Sequence, residues 1–166
     1  MAWLAHSEGL PFYFVAAGDF SQTSCGDDYG AIAAACSAAP DNFLFLPERL
    51  VDGPDFNAHV VACDVLVAAY IDVPFQSNLL TKAAAFSKPV VVSRGYVMER
   101  HTIDYGLGIA VPQGDAHATL AAIKELLQEN RAQSRVSRRE EYLQDNGPES
   151  LDRLLVSMLD VCSACG

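Results

Sequence analysis

The stretch Ser77-Asn-Leu-Leu-Thr-Lys-Ala-Ala-Ala-Phe-Ser-Lys-Pro-Val-Val-Val-Ser93 changes its hydrophobic period partway along, and that change decides the fold. Ser77 is a residue type whose hydroxyl caps a helix N-terminus, and Leu79, Leu80, Ala83 and Ala84 then make one apolar stripe over residues 78–86. Pro89 cannot continue a helix, and Pro89-Val-Val-Val92 is a β-branched run with no polar alternation. A helix therefore leads into a strand that is apolar on both faces. Such a strand stays dry only in a parallel sheet covered by helices on both sides.

The same alternation recurs outward from this stretch. Upstream, Phe12-Tyr-Phe-Val-Ala-Ala17, Phe43-Leu-Phe-Leu46 and Val65-Leu-Val-Ala-Ala69 read as strands, and downstream Leu107-Gly-Ile-Ala-Val111 is the fifth. Between them, Tyr29 to Ala38 favours helix until Pro40-Asp41, and Asp55 to Val61 makes a shorter one. Past Gly114-Asp115 the pattern is helical: Leu120, Ile123, Leu126 and Leu127 share a stripe, with further helices around residues 131–143 and 149–159. The expected class is α/β, a doubly wound parallel sheet with helices on both faces. In such a sheet ligands bind beyond the carboxyl ends of the strands.

Composition narrows the function. The 166 residues fit one domain over 1–166, and 51% hydrophobic content excludes disorder. A formal charge of -10 repels phosphate backbones, so nucleic acid is not an expected partner. No run approaches the ~20 apolar residues of a membrane span, so no transmembrane segment is expected and the reading is cytoplasmic. The five cysteines fit reduced thiols. Cys162 and Cys165 have the spacing of half a zinc site or a redox pair, but they stand near the end of the sequence with no second pair or histidine nearby, and a structural zinc site needs four ligands, so neither a metal nor a redox role is expected. His6, His59, His101 and His117 share no ligand spacing and are assigned no catalytic role.

The loops after strands are the candidate sites. Tyr70 to Asn78 follows a strand and opens a helix, whose first-turn N–H groups at residues 77–79 could face an anion, with the Ser77 hydroxyl and Asn78 amide as further donors. An ordinary capped helix accounts for the same residues. Lys82, one turn inside, could add positive charge. Gly18-Asp19 and Pro47-Glu48-Arg49 stand at equivalent strand ends, and turn chemistry explains both. In Ser93-Arg-Gly-Tyr-Val-Met-Glu99, Gly95 would let backbone approach a ligand closely. No nucleophile elbow, Walker-type loop or Gly-x-Gly-x-x-Gly is present.

Taken in order, these segments resemble the C-terminal, donor-binding domain of GT-B glycosyltransferases of the group 1 type. The resemblance is carried by Phe43-Leu-Phe-Leu-Pro47, by Ala62-Cys-Asp-Val-Leu-Val-Ala-Ala-Tyr70, by the 77–93 stretch with its Lys88-Pro-Val-Val, and by Gly95 to Glu99 followed by Tyr105-Gly-Leu-Gly-Ile-Ala-Val-Pro112 and Asp115. It covers roughly residues 10–130 and implies a Rossmann-like domain that binds a nucleotide-sugar or nucleoside diphosphate and needs no cofactor. It also implies donor contacts at Gln76, Ser77, Asn78, Leu79, Lys82, Pro47, Glu48 and Gly18, with Gly95 and Glu99 on the sugar side. Many retaining members carry two glutamates eight positions apart here; this chain has Pro74 and Lys82. The family's first strand and N-terminal acceptor domain are also expected to be lacking, so an acceptor domain or partner chain is implied, and the strand edges exposed without the first strand predict a homodimer or a rearranged sheet. The alternative is a non-catalytic binding or assembly module on a degenerate glycosyltransferase domain. A phosphoacceptor receiver shares the α/β plan, but its lysine follows a strand, whereas Lys88 precedes one.

Overall fold

A computed structural model describes residues 1–47, 50–132, 137–147 and 150, and the chain divides into two compact units, Met1–His59 and Val60–Gly166. Glu48 and Arg49, both cysteines of the C-terminal pair and nearly all of the helix expected over 149–159 lie outside the described residues.

The first unit contains α1 (Ala2–Ser7), β1 (Phe14–Ala17), α2 (Gln22–Cys25), a 3-10 turn at Gly26–Asp28, α3 (Tyr29–Ser37), β2 (Phe43–Leu46) and the start of α4 (Pro54–Ala62). Strands β1 and β2 pair in parallel, Phe14 opposite Phe43 and Ala17 opposite Leu46. Parallel neighbours need a crossover, which the helix-forming alanines of α3 supply. β1 starts later than the apolar run from Phe12, because the Phe12 N–H turns back onto the Leu10 carbonyl at 2.8 Å. On one face Phe20 meets Phe45 edge-on at 4.6 Å between centroids, while the register partners Val15 and Leu44 on the other are 43% and 41% exposed.

The second unit contains β3 (Leu66–Ala68), α5 (Asn78–Ala85), β4 (Val90–Ser93), α6 (Val97–Asp104), β5 (Gly108–Val111), α7 (Ala116–Ala132) and α8 (Arg139–Asn146). Its strands run parallel in the order β3–β4–β5. The valines of β4 are wholly buried, as expected for a central parallel strand. Leu80, Met98, Leu107, Leu120 and Leu126 close around it as the core. α5 ends in a Schellman motif: the Lys88 N–H bonds to the Ala83 carbonyl at 2.8 Å and the Ser87 N–H to that of Ala84 at 3.2 Å. Ser87, at φ 56°, occupies the left-handed position usually given to glycine, and Pro89 then bars the helix from resuming.

All pairings are parallel, yet among the described residues the five strands form two sheets. No helix among the described residues is long and apolar enough to cross a membrane.

Candidate functional site

The carboxyl ends of β3, β4 and β5 are joined by a network of loop contacts. The chain leaves β3 through Tyr70, whose carbonyl accepts the hydroxyl of buried Ser93 at the end of β4. The Tyr70 hydroxyl lies 3.4 Å from Ser77 Oγ, which links this strand end to the cap of α5. Asp72 sits at φ 53°, a conformation that aspartate tolerates better than most residues. Two partners hold it there. Its N–H donates to Gln113 Oε1 at 2.9 Å, and its Oδ1 accepts from the Tyr96 hydroxyl at 3.4 Å. Gln113 Nε2 in turn donates to the Arg94 carbonyl at 3.0 Å, so one amide side chain after β5 braces the loops after β3 and β4.

Ser77 caps α5 as its residue type predicts, with extended φ and ψ of -94° and 139°. The Leu79 N–H donates to Ser77 Oγ at 3.2 Å and the Leu80 N–H to the Ser77 carbonyl at 3.1 Å. The expectation of unpaired donors across residues 77–79 is therefore modified at Leu79, whose N–H meets an anion only if the Ser77 hydroxyl turns away. Asn78 is the exposed first residue of the helix, and Lys82 is half-buried in its last turn. Gln76 turns its amide inward, Nε2 donating to Tyr142 Oη at 2.6 Å. Tyr142, wholly buried, also lies 3.3 Å from Thr81 Oγ1 and packs edge-on against His101 and Tyr105 at 5.8 and 5.2 Å between centroids. Burial pushes its phenol pKa up, partly offset by the bonds to Thr81 and Gln76.

The structure brings Gly95 and Glu99 together. Gly95 has φ 106°, and its N–H donates to Glu99 Oε2 at 2.8 Å, so the carboxylate folds back over the start of α6. A Cβ at Gly95 would lie 3.4 Å from Gln113 Nε2, at the lower limit of ordinary contact, so both space and backbone favour glycine. Gly18 and Pro47 belong to the first unit, at the carboxyl ends of β1 and β2, where the Gly18 N–H donates to the Leu46 carbonyl at 3.2 Å. The four histidines all lie in helices, and no group of three or more His, Cys, Asp or Glu among the described residues could hold a metal.

Sequence reading missed Tyr70, Asp72, Tyr96, Gln113 and Tyr142. Asp72 carried a weak signal, since aspartate is a turn former; the tyrosines and Gln113 act across separations that local patterning does not register. Chemically, the rim offers hydroxyls, amides, two carboxylates and the exposed Arg94, a surface suited to a hydroxylated anion.

No protein-family model matches the chain, and comparison with curated proteins finds no match. Among solved structures, sucrose-phosphate synthase from Thermosynechococcus elongatus matches 99% of the chain with a TM-score of 0.73 at 20% identity. The chain spans 42% of that protein's length. With parallel strands, interleaved helices and this likeness together, the chain has the Rossmann-like fold of a GT-B glycosyltransferase.

Proposed function

We propose that the carboxyl-end crevice of the second unit binds the nucleoside diphosphate of a nucleotide-sugar, and that the chain is the donor half of a glycosyltransferase. The observation that carries this reading is the hydrogen-bonded rim joining three strand ends to the capped N-terminus of α5, on a GT-B fold. On a chain of charge -10 a diphosphate needs a local positive field, to which the α5 N-terminus, Arg94 at the end of β4 and Lys82 farther along α5 would contribute. Gln76, Ser77, Asn78, Leu79 and Lys82 face the diphosphate in this reading, and Gly95 and Glu99 the sugar.

The chain alone does not transfer sugar, because Pro74 and Lys82 stand where retaining relatives carry their acids, and an acceptor side must come from another domain or a partner chain. Strands β1 and β3, each paired along one edge among the described residues, separately support pairing with a second copy of the chain. The free thiols of Cys25, Cys36 and Cys63 support a cytoplasmic place. The same replacements favour a second reading, a non-catalytic donor-binding module, which also binds nucleotide but shows no transfer with any partner.

Calorimetric titration with nucleoside diphosphates and their sugar conjugates tests the proposal. Asn78→Asp should weaken diphosphate binding about fivefold by like-charge repulsion at the helix N-terminus. Lys82→Glu should weaken the free diphosphate by a similar factor and the sugar conjugate less, because the conjugate carries one negative charge fewer for the new carboxylate to repel. Absence of binding at millimolar ligand, or chemical-shift changes confined to α7 and α8, overturns the reading.

A further inference from the structure

We propose that Tyr142 is a positioning residue that sets the geometry of the α5 N-terminus through Gln76 and Thr81; this inference rests on the donor-site reading above. The phenol oxygen accepts the Gln76 amide at 2.6 Å and shares a second hydrogen bond with Thr81 Oγ1, 3.3 Å away. Gln76 immediately precedes the cap and Thr81 closes the first turn, so one oxygen brackets Ser77, Asn78 and Leu79 from both sides. The pairing is asymmetric in exposure. Gln76 lies on the surface, whereas Tyr142 is wholly buried and its ring is held by His101 and Tyr105 from α6 and the turn that follows it. A surface loop is thus anchored to a buried aromatic cluster of the second unit. An exposed glutamine gains little stability from one neutral bond. What the bond supplies is a single conformation for the residue before the cap. Apparent affinity for an anion at this terminus falls in proportion to the fraction of time the terminus holds that conformation.

The test compares Tyr142→Phe with Tyr105→Phe. The second removes a hydroxyl from the same ring cluster, but one that donates to Asp145 at 2.7 Å and does not touch α5. In the ligand-free protein, NMR follows the Gln76 side-chain amide and hydrogen exchange at residues 78–80. In parallel, titrations use uridine, adenosine and guanosine diphosphate. Tyr142→Phe should move the Gln76 amide to its solvent position, speed exchange at residues 78–80 several-fold, and weaken the best diphosphate about three- to tenfold. Tyr105→Phe should leave all three unchanged. Gln76→Met, a surface change that leaves the core intact, should reproduce the faster exchange, and the double variant should add nothing further. Unchanged exchange in Tyr142→Phe, or equal effects from Tyr105→Phe, overturns the positioning role. If no diphosphate binds the unaltered protein, the donor reading fails and the exchange measurements alone decide whether Tyr142 positions the terminus.

Discussion

Replacing Gly108 by alanine is the most severe small change the structure identifies. Gly108 opens β5 opposite Val90, and a Cβ there would fall against the Val90 carbonyl oxygen, 2.6 Å from the carbonyl carbon and 2.9 Å from the nitrogen. Ordinary contact begins near 3.4 Å and the carbonyl oxygen is the nearest of these atoms, so β4 and β5 must part by well over an ångström, and backbone atoms offer no rotamer for relief. The displacement falls on the Val90 N–H bond to the Leu107 carbonyl, already 3.2 Å long, and on the wholly buried valines beside it. Overpacking typically costs about 1–3 kcal/mol, and weakening one or two ladder bonds adds about 1 kcal/mol. A total of about 3 kcal/mol corresponds to a fall of roughly 6–12 °C in melting temperature for a chain of this size. Thermal and urea denaturation followed by circular dichroism measure it. Gly30→Ala is the control: nothing lies within 4 Å of a Cβ at this exposed position in α3, so the change should be neutral or raise stability by up to about 1 kcal/mol. Gly108→Ala melting within 2 °C of the unaltered protein would refute the claim that the two strands leave no room.

Two further outcomes follow from backbone and charge. Ser87→Gly should raise the urea midpoint by the equivalent of about 0.5–1 kcal/mol, since glycine relieves the left-handed strain of the Schellman position; an unchanged or lowered midpoint counts against strain there. His101 has its pKa lowered from 6.5, first by burial and then by Arg100, with Asp104 opposing. The unfolded chain therefore binds this proton more readily than the folded one, and stability falls as pH drops through about 6.5. His101→Asn should flatten the stability curve between pH 7 and 5, and a slope identical to that of the unaltered protein removes His101 as a contributor.

Elements governed by neighbours in sequence were legible before the fold was known. The cap at Ser77, the buried run at Val90 to Val92 and the strand Phe43–Leu46 each follow from local chemistry, and the structure places them there. The division into two sheets was not legible, because pairing depends on which strand edges meet and the five runs look alike in hydrophobicity. The site was read in half. Ser77 and Gly95 declare themselves through capping and backbone freedom. Nothing beside Gln113 in the sequence indicates that its amide reaches Asp72, and nothing beside Tyr142 indicates that its hydroxyl reaches Gln76. The Leu79 N–H shows the converse error: helix ends leave orphan donors in general, but a capping serine removes one in particular.

The Gln113 brace has a consequence for how this sequence can diverge. Its oxygen accepts from one loop and its nitrogen donates to another, and few other side chains of similar reach carry both functions side by side. Glutamate would present a second acceptor to the Arg94 carbonyl, lysine a donor to the Asp72 N–H, and methionine neither bond. Because the brace holds Asp72 in a left-handed turn, loss of the amide removes the reason for an aspartate or glycine at position 72, and the two positions become coupled in descent. Distant chains of this architecture that keep an amide just past the fifth strand should also keep a turn-tolerant residue after the third, a covariation visible without knowledge of the ligand.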